Sequence, residues 1–192
     1  MSTKNLVIAF GGVSPEHEVS VLSAMQAISS MQGSSYNLVP LYITKSGKWL
    51  TGETLLDLEN YKDLSKLEEV AIRCAFVKDE IGRTHLKQQD SSGLFSKPKS
   101  FAVYAVVCAF HGSGGENGSF QGICDFYNVP YTGSDVLSSS LGMNKVKAKQ
   151  ICVANNIPVT DSLDFYESNW ETDQATILKE AEMIGYPLIV KP

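Results

Sequence analysis

The sequence predicts an α/β fold with a mostly parallel sheet, and three observations carry that expectation. Two apolar runs, Leu6–Phe10 and Phe101–Phe110, look like strands buried on both faces. Each stops abruptly at glycine, the first at Gly11-Gly12 and the second at Gly112, one residue past His111. Each is followed by a helical pattern, so the order strand, glycine-rich turn, helix occurs twice.

The first run leads through Gly11-Gly12 to Ser14-Pro15-Glu16, which reads as a helix start. Serine suits the N-cap, proline the first helical position, and a carboxylate the first turn. Val21, Leu22, Met25 and Ile28 supply the apolar face. Glu16 and Glu18 can serve simply as complements of the helix dipole. Glu16 also stands just past the carboxyl end of a strand, on the rim where open α/β sheets bind ligands. The residues alone leave both roles open. The glycine pair is not GxGxxG, so a nicotinamide-type dinucleotide site has little support.

Leu38–Thr44 is the next strand, and Lys45-Ser46-Gly47-Lys48 turns it into a hairpin with Trp49-Leu50. Glu53–Val70 has leucines at helical spacing among charges, which suits one or two short surface helices. Val70–Val77 and Thr84–Leu86 are expected to pair across Asp79–Gly82, with His85 a surface strand residue rather than a ligand or base. Ser91–Ser100 is polar, holds Gly93 and Pro98, and reads as a loop.

After Phe101–Phe110 the composition switches to His111 and four glycines before Phe120. Phe120, Ile123, Cys124 and Tyr127 then recur at i, i+3, i+4, i+7. Such a loop points backbone N–H groups and a helix N-terminus at one spot, which favours an anion or polar ligand. A tight turn in which glycine only relieves sterics remains the alternative.

Val129–Thr132 is a brief strand. Asp135 is the expected N-cap of Val136–Leu141, and Asn144 that of a helix reaching about Asn155, where Asn155-Asn156 and Pro158 end it. Lys145 therefore sits in a first turn, where a cation opposes the dipole. A bound anion would explain it; a side chain extended into water is the alternative. A helix over Asp173–Ile184, closed by Gly185, and a strand over Leu188–Lys191 complete the pattern.

Composition narrows the functional classes. The 192 residues suffice for one domain and the start of a second. No apolar run approaches the ~20 residues of a membrane span. The N-terminal run meets Gly-Gly instead of a cleavage site, so it is not a secretory signal. A net charge of −5 without a basic stripe argues against nucleic acid as partner. Cys74, Cys108, Cys124 and Cys152 lack CxxC spacing and read as reduced cytosolic thiols, not a disulfide frame or zinc site.

Four segments in order, GGVSPEHEVS, HGSGGENGSFQG, YTGSDVLSSSLGMNK and GYPLIVKP, resemble successive motifs of the D-alanine–D-alanine ligases of the ATP-grasp superfamily. YITKSGKWL is similar to the longer first domain of one branch of that family. The resemblance implies a Rossmann-like (pre-ATP-grasp) substrate domain over residues 1–134, connecting helices over 135–156, and the truncated start of an ATP-grasp nucleotide-binding domain over 157–192.

It also implies an activity: ATP phosphorylates the carboxylate of one D-alanine, and the amine of a second displaces phosphate, in cytoplasmic synthesis of a peptidoglycan precursor. Glu16 would be catalytic, orienting the first D-alanine through its ammonium group, and His111 would balance the carboxylate. Lys145 and Lys191 would contact ATP phosphates. The Mg2+ ligands and the family's catalytic serine and tyrosine are expected beyond Pro192, so the chain alone is expected to be folded but inactive. A homodimer is implied, with neither membrane nor nucleic acid as partner. Asn144, Asn117 and Ser119 stand where the family more often has aspartate, aspartate and threonine. A second substrate of D-lactate or D-serine, or a non-catalytic ligand-binding module on the same fold, stays open.

Overall fold

The computed structural model describes residues 4–90 and 97–191. The chain forms two compact units, Met1–Met143 and Asn144–Pro192.

The first unit is organised by β1 (Lys4–Gly11), whose alternate residues feed two cores. Val7 and Ala9 face one core with Val39, Leu41, Phe76 and Leu86; Ile8 and Phe10 face the other with Tyr42, Leu50 and Leu55. All four β1 side chains are fully buried, as the unbroken run LVIAF requires. Helix α1 (His17–Ser30) covers the second core through Val21, Ala24 and Ile28. Leu22, assigned above to that apolar face, is instead 49% exposed.

The sheet is mixed. β2 (Tyr36–Ile43) and β6 (Ser100–Cys108) flank β1 and run parallel to it. β3 (Trp49–Thr51), β4 (Ile72–Lys78) and β5 (Thr84–Gln88) pair antiparallel with one another and with β2 and β6. The strand order β1-β2-β3-β4-β5-β6 closes on itself as a barrel. The expected mostly parallel sheet is thus limited to β2-β1-β6, because the hairpin connections after β2 return the chain antiparallel. Two short 3-10 helices, Glu53–Leu56 and Leu58–Lys62, and α2 (Leu64–Val70) join β3 to β4. They place Leu55 and Leu67 in the second core.

β6 departs from its expected burial on both faces: Tyr104 is 45% exposed and stacks on Tyr36, and only Val106 is fully buried. At its carboxyl end β6 also meets Tyr131 in a parallel bridge, which reduces the predicted brief strand to one residue pair. Helix α3 (Ser119–Tyr127) seats Phe120 and Cys124 in the first core, and α4 (Val136–Met143) is capped by Asp135 through Ser138 N at 2.7 Å. The predicted Ser91–Ser100 loop lies partly outside the described residues, since only 97–100 are described, and Ser100 already belongs to β6.

In the second unit α5 (Lys145–Ala154) starts at Asn144, whose side chain accepts the Lys147 amide at 3.0 Å. α6 (Glu167–Thr172), which the sequence pattern did not predict, precedes α7 (Gln174–Ile184), capped by Asp173 and ended by Gly185. The strand expected over Leu188–Lys191 does not form: a strand exists through its ladder, and nothing among the described residues pairs with it.

Candidate functional site

The carboxyl ends of β1, β2 and β6 meet on one rim of the first unit, and α1 reaches all three through side chains three residues apart. His17 is fully buried. Its Nδ1 lies 2.7 Å from the Gly12 carbonyl, which can only accept, so Nδ1 carries the proton. Its Nε2 lies 2.8 Å from the Tyr42 hydroxyl at the end of β2. Burial pushes the Tyr42 phenol well above its ordinary range, so it stays protonated and donates to Nε2.

One turn on, Ser20 Oγ accepts the Gly11 amide at 2.8 Å and donates to the Ala109 carbonyl at 2.7 Å, which ties the end of β1 to the chain leaving β6. A further turn on, Ser23 Oγ lies 2.8 Å from His111 Nε2. The ladder His17-x2-Ser20-x2-Ser23 thus fixes the rim loops. Hydrophobic periodicity misses it, because it follows only the apolar positions of α1. A polar i, i+3, i+6 stripe bordering that face was the available signal.

The helix begins later than predicted. Glu16, not Ser14, occupies the position before the first helical residue, and Ser14 Oγ accepts the Glu16 amide at 3.1 Å. That small turn brings Glu16 toward the glycine-rich loop. Gly112 has φ +78°, and a Cβ on it would stand 2.7 Å from Glu16 Oε2 and closer still to Ser14 Oγ. The Glu16 carboxylate therefore lies directly against the residue after His111. Gly112 is held in turn by Glu116, whose Oε2 accepts its amide at 2.8 Å and whose own amide donates to the Gly112 carbonyl at 3.0 Å. The buried Gln121 amide donates to the Gly115 carbonyl at 2.7 Å, and Ser140 Oγ to the Asn117 carbonyl at 2.8 Å. Every turn of the loop is tied down.

Glu18 is a different case. It forms an exposed ion pair with Lys45, whose hydrogen bond lowers the carboxyl's pKa. Glu16 is exposed on the rim beside the loop. In the second unit Lys145 is the exposed first residue of α5, and Lys191 lies exposed in irregular backbone. The described residues contain no group of three or more His, Cys, Asp or Glu side chains able to hold a metal ion. His85 bridges Asp79 Oδ2 at 3.0 Å and Ser100 Oγ at 3.1 Å on the β4–β5 hairpin and β6. All four cysteines are free, and burial pushes the Cys74, Cys108 and Cys124 thiols up to about 12. No helix among the described residues is long and apolar enough to cross a membrane.

The Glu16 carboxylate and the His111 imidazole thus stand beside a glycine-rich loop on the rim of an α/β unit. Residues 5–134 match the family model described as D-ala D-ala ligase N-terminus. The chain belongs to the D-alanine–D-alanine ligase family. It is 37% identical over 188 residues to the D-alanine–D-alanine ligase of Thermosipho melanesiensis, covering 98% of this chain and 49% of that protein. It is 41% identical over 188 residues to the ligase of the same name from Thermosipho africanus, covering 98% and 48%. Among solved structures, the VanG D-Ala:D-Ser ligase of Enterococcus faecalis aligns with a TM-score of 0.71 at 27% identity, covering 100% of this chain and 52% of that one. The chain spans about half the length of the curated relatives it matches.

Proposed function

We propose that this chain supplies the first half of an ATP-dependent ligase that joins two D-alanines for a peptidoglycan precursor in the cytoplasm. The observation that carries the reading is the contact of the Glu16 carboxylate with Gly112, beside His111. A carboxylate against Gly112 and an imidazole on the preceding residue suit the ammonium and the carboxylate of one small amino acid. Glu16 accepts from the ammonium, and His111 donates to the carboxylate.

Oriented in this way, one carboxylate oxygen attacks the γ-phosphorus of ATP and ADP leaves. The amine of the second D-alanine then attacks the acyl carbon, inorganic phosphate departs, and the amine loses a proton. Each half is feasible where direct condensation is not. Lys145, a cation at the start of a ten-residue helix, suits an ATP phosphate, since cation and helix N-terminus attract the same anion. Lys191 has the corresponding role at the second motif. Magnesium would neutralise charge on the transferring phosphoryl group. A homodimer is part of the same reading.

D-serine or D-lactate as second substrate is the alternative; the solved relative from Enterococcus faecalis is a D-Ala:D-Ser ligase. The test is phosphate release and dipeptide formation by the complete gene product with ATP, magnesium and D-alanine, alone and with D-serine or D-lactate. Absence of turnover with every acceptor would overturn the ligase reading and favour a non-catalytic binding module.

A further inference from the structure

His111 makes a hydrogen bond that the ligase reading does not use. Ser23 Oγ lies 2.8 Å from His111 Nε2, and both side chains are half-buried. A hydroxyl carries a single proton. On the same helix, Ser30 sends its proton to the Gln26 carbonyl at 2.8 Å and Ser20 sends its proton to the Ala109 carbonyl. The described residues give the Ser23 hydroxyl one partner, the His111 Nε2. A Ser23 hydroxyl that donates to Nε2 leaves the proton of a neutral imidazole on Nδ1.

On the same helix His17 has that tautomer: its Nδ1–H meets the Gly12 carbonyl while Nε2 accepts from Tyr42.

We propose that Ser23 is a positioning residue that locks His111 in its Nδ1–H tautomer, so that a neutral imidazole presents an N–H donor to a substrate carboxylate. The tautomer is inferred from the Ser23 contact and does not need the ligase reading. Only the identity of the acceptor rests on the ligase reading. A His111 ring without Ser23 would divide its proton between both nitrogens and rotate, and so lose both its donor and its aim.

Nitrogen-15 spectra of the 192-residue chain with labelled histidine read the tautomer directly. At a pH where His111 is neutral, its Nδ1 should show the protonated-nitrogen shift and its Nε2 the acceptor shift. Ser23→Ala should move His111 toward the Nε2–H form, Ser23→Thr should preserve the wild-type pattern, and His17 should be unchanged in both. A wild-type His111 in the Nε2–H form, or one indifferent to Ser23→Ala, overturns the proposal. Should Ser23→Ala fail to fold, the wild-type spectrum still decides it.

In the complete gene product, Ser23→Ala should raise KM for the first D-alanine about tenfold, the loss of one hydrogen bond, and leave KM for ATP unchanged. Tautomer lost with KM for D-alanine unchanged overturns the link to substrate. A wild-type protein without turnover counts against the ligase reading instead and leaves the tautomer result standing.

Discussion

The Glu16 carboxylate packs against Gly112, and that contact joins the first strand–helix turn to the glycine-rich loop. At Gly112 both conformation and space forbid a side chain. Gly114, two residues on, also has positive φ (+86°), but nothing lies within 4 Å of where its Cβ would stand. Gly114→Ala should therefore cost only the backbone strain, roughly 1 kcal/mol, whereas Gly112→Ala should cost about 1–3 kcal/mol more because Ser14 and Glu16 must move. Urea unfolding of the two variants checks this; equal midpoints would mean that Glu16 does not rest on the loop.

Ser20 holds two backbone groups at once. Ser20→Ala leaves the Gly11 amide and the Ala109 carbonyl without this shared hydroxyl in a fully buried position. A loss of about 1–3 kcal/mol is expected, larger than for a surface serine such as Ser29. Hydrogen exchange at the Gly11 amide should accelerate in the same variant.

Three thiols set an alkaline limit on stability. Burial raises Cys74, Cys108 and Cys124 from the ordinary 9.0 to about 12 in the folded chain. Between those values the native state binds more protons than the unfolded state, so stability falls as pH rises. The contribution is intact below pH 9 and is lost progressively toward about 12. Denaturant midpoints measured from pH 8 to 11 should decline, and replacing Cys74 and Cys124 with alanine should flatten the slope.

Glu16 and Glu18 should separate kinetically in the complete gene product. Glu16→Gln should weaken use of the first D-alanine by about 1.5–3 kcal/mol with little change for ATP, as expected for losing a charge-assisted bond to an ammonium. Glu18→Gln removes an exposed pair with Lys45 and should cost at most about 1 kcal/mol of stability. Equal kinetic losses from both would show that the carboxylate was wrongly chosen.

Lys145→Ala and Lys191→Ala should each raise KM for ATP and leave that for D-alanine near wild type. Unchanged ATP kinetics in both variants would remove the phosphate roles.

Local chemistry made much of the chain legible. LVIAF, the turn at Gly47, the Asp135 and Asn144 caps and the Gly185 stop each depend on residues within a few positions, and all form as expected. Closure of the sheet was not legible, because whether β5 pairs beside β6 depends on contacts that no window of sequence contains. Leu22 fitted the apolar period of α1, yet about half of it faces solvent. In the site, Glu16 and His111 were singled out by motif, while Ser20, Ser23 and His17 were not: a buried polar side chain is recognisable only once its partner is in place.

The parallel pairing of β1 with β6 has a consequence for how the chain acquires its rim. Ala9 pairs with Cys108, and the Ala109 amide donates to the Ala9 carbonyl, so most of the first unit must be threaded between the two partners. Contacts so distant along the chain close slowly, because the ordering entropy of the intervening loop comes before any reward. The hairpins from β2 to β5 can zip early, but Ser23 has no partner, and Ser20 only the Gly11 amide, until residues 109–111 arrive. During synthesis, the ladder on α1 stays incomplete until the ribosome has released the end of β6, and that interval is when the rim is most open to misfolding.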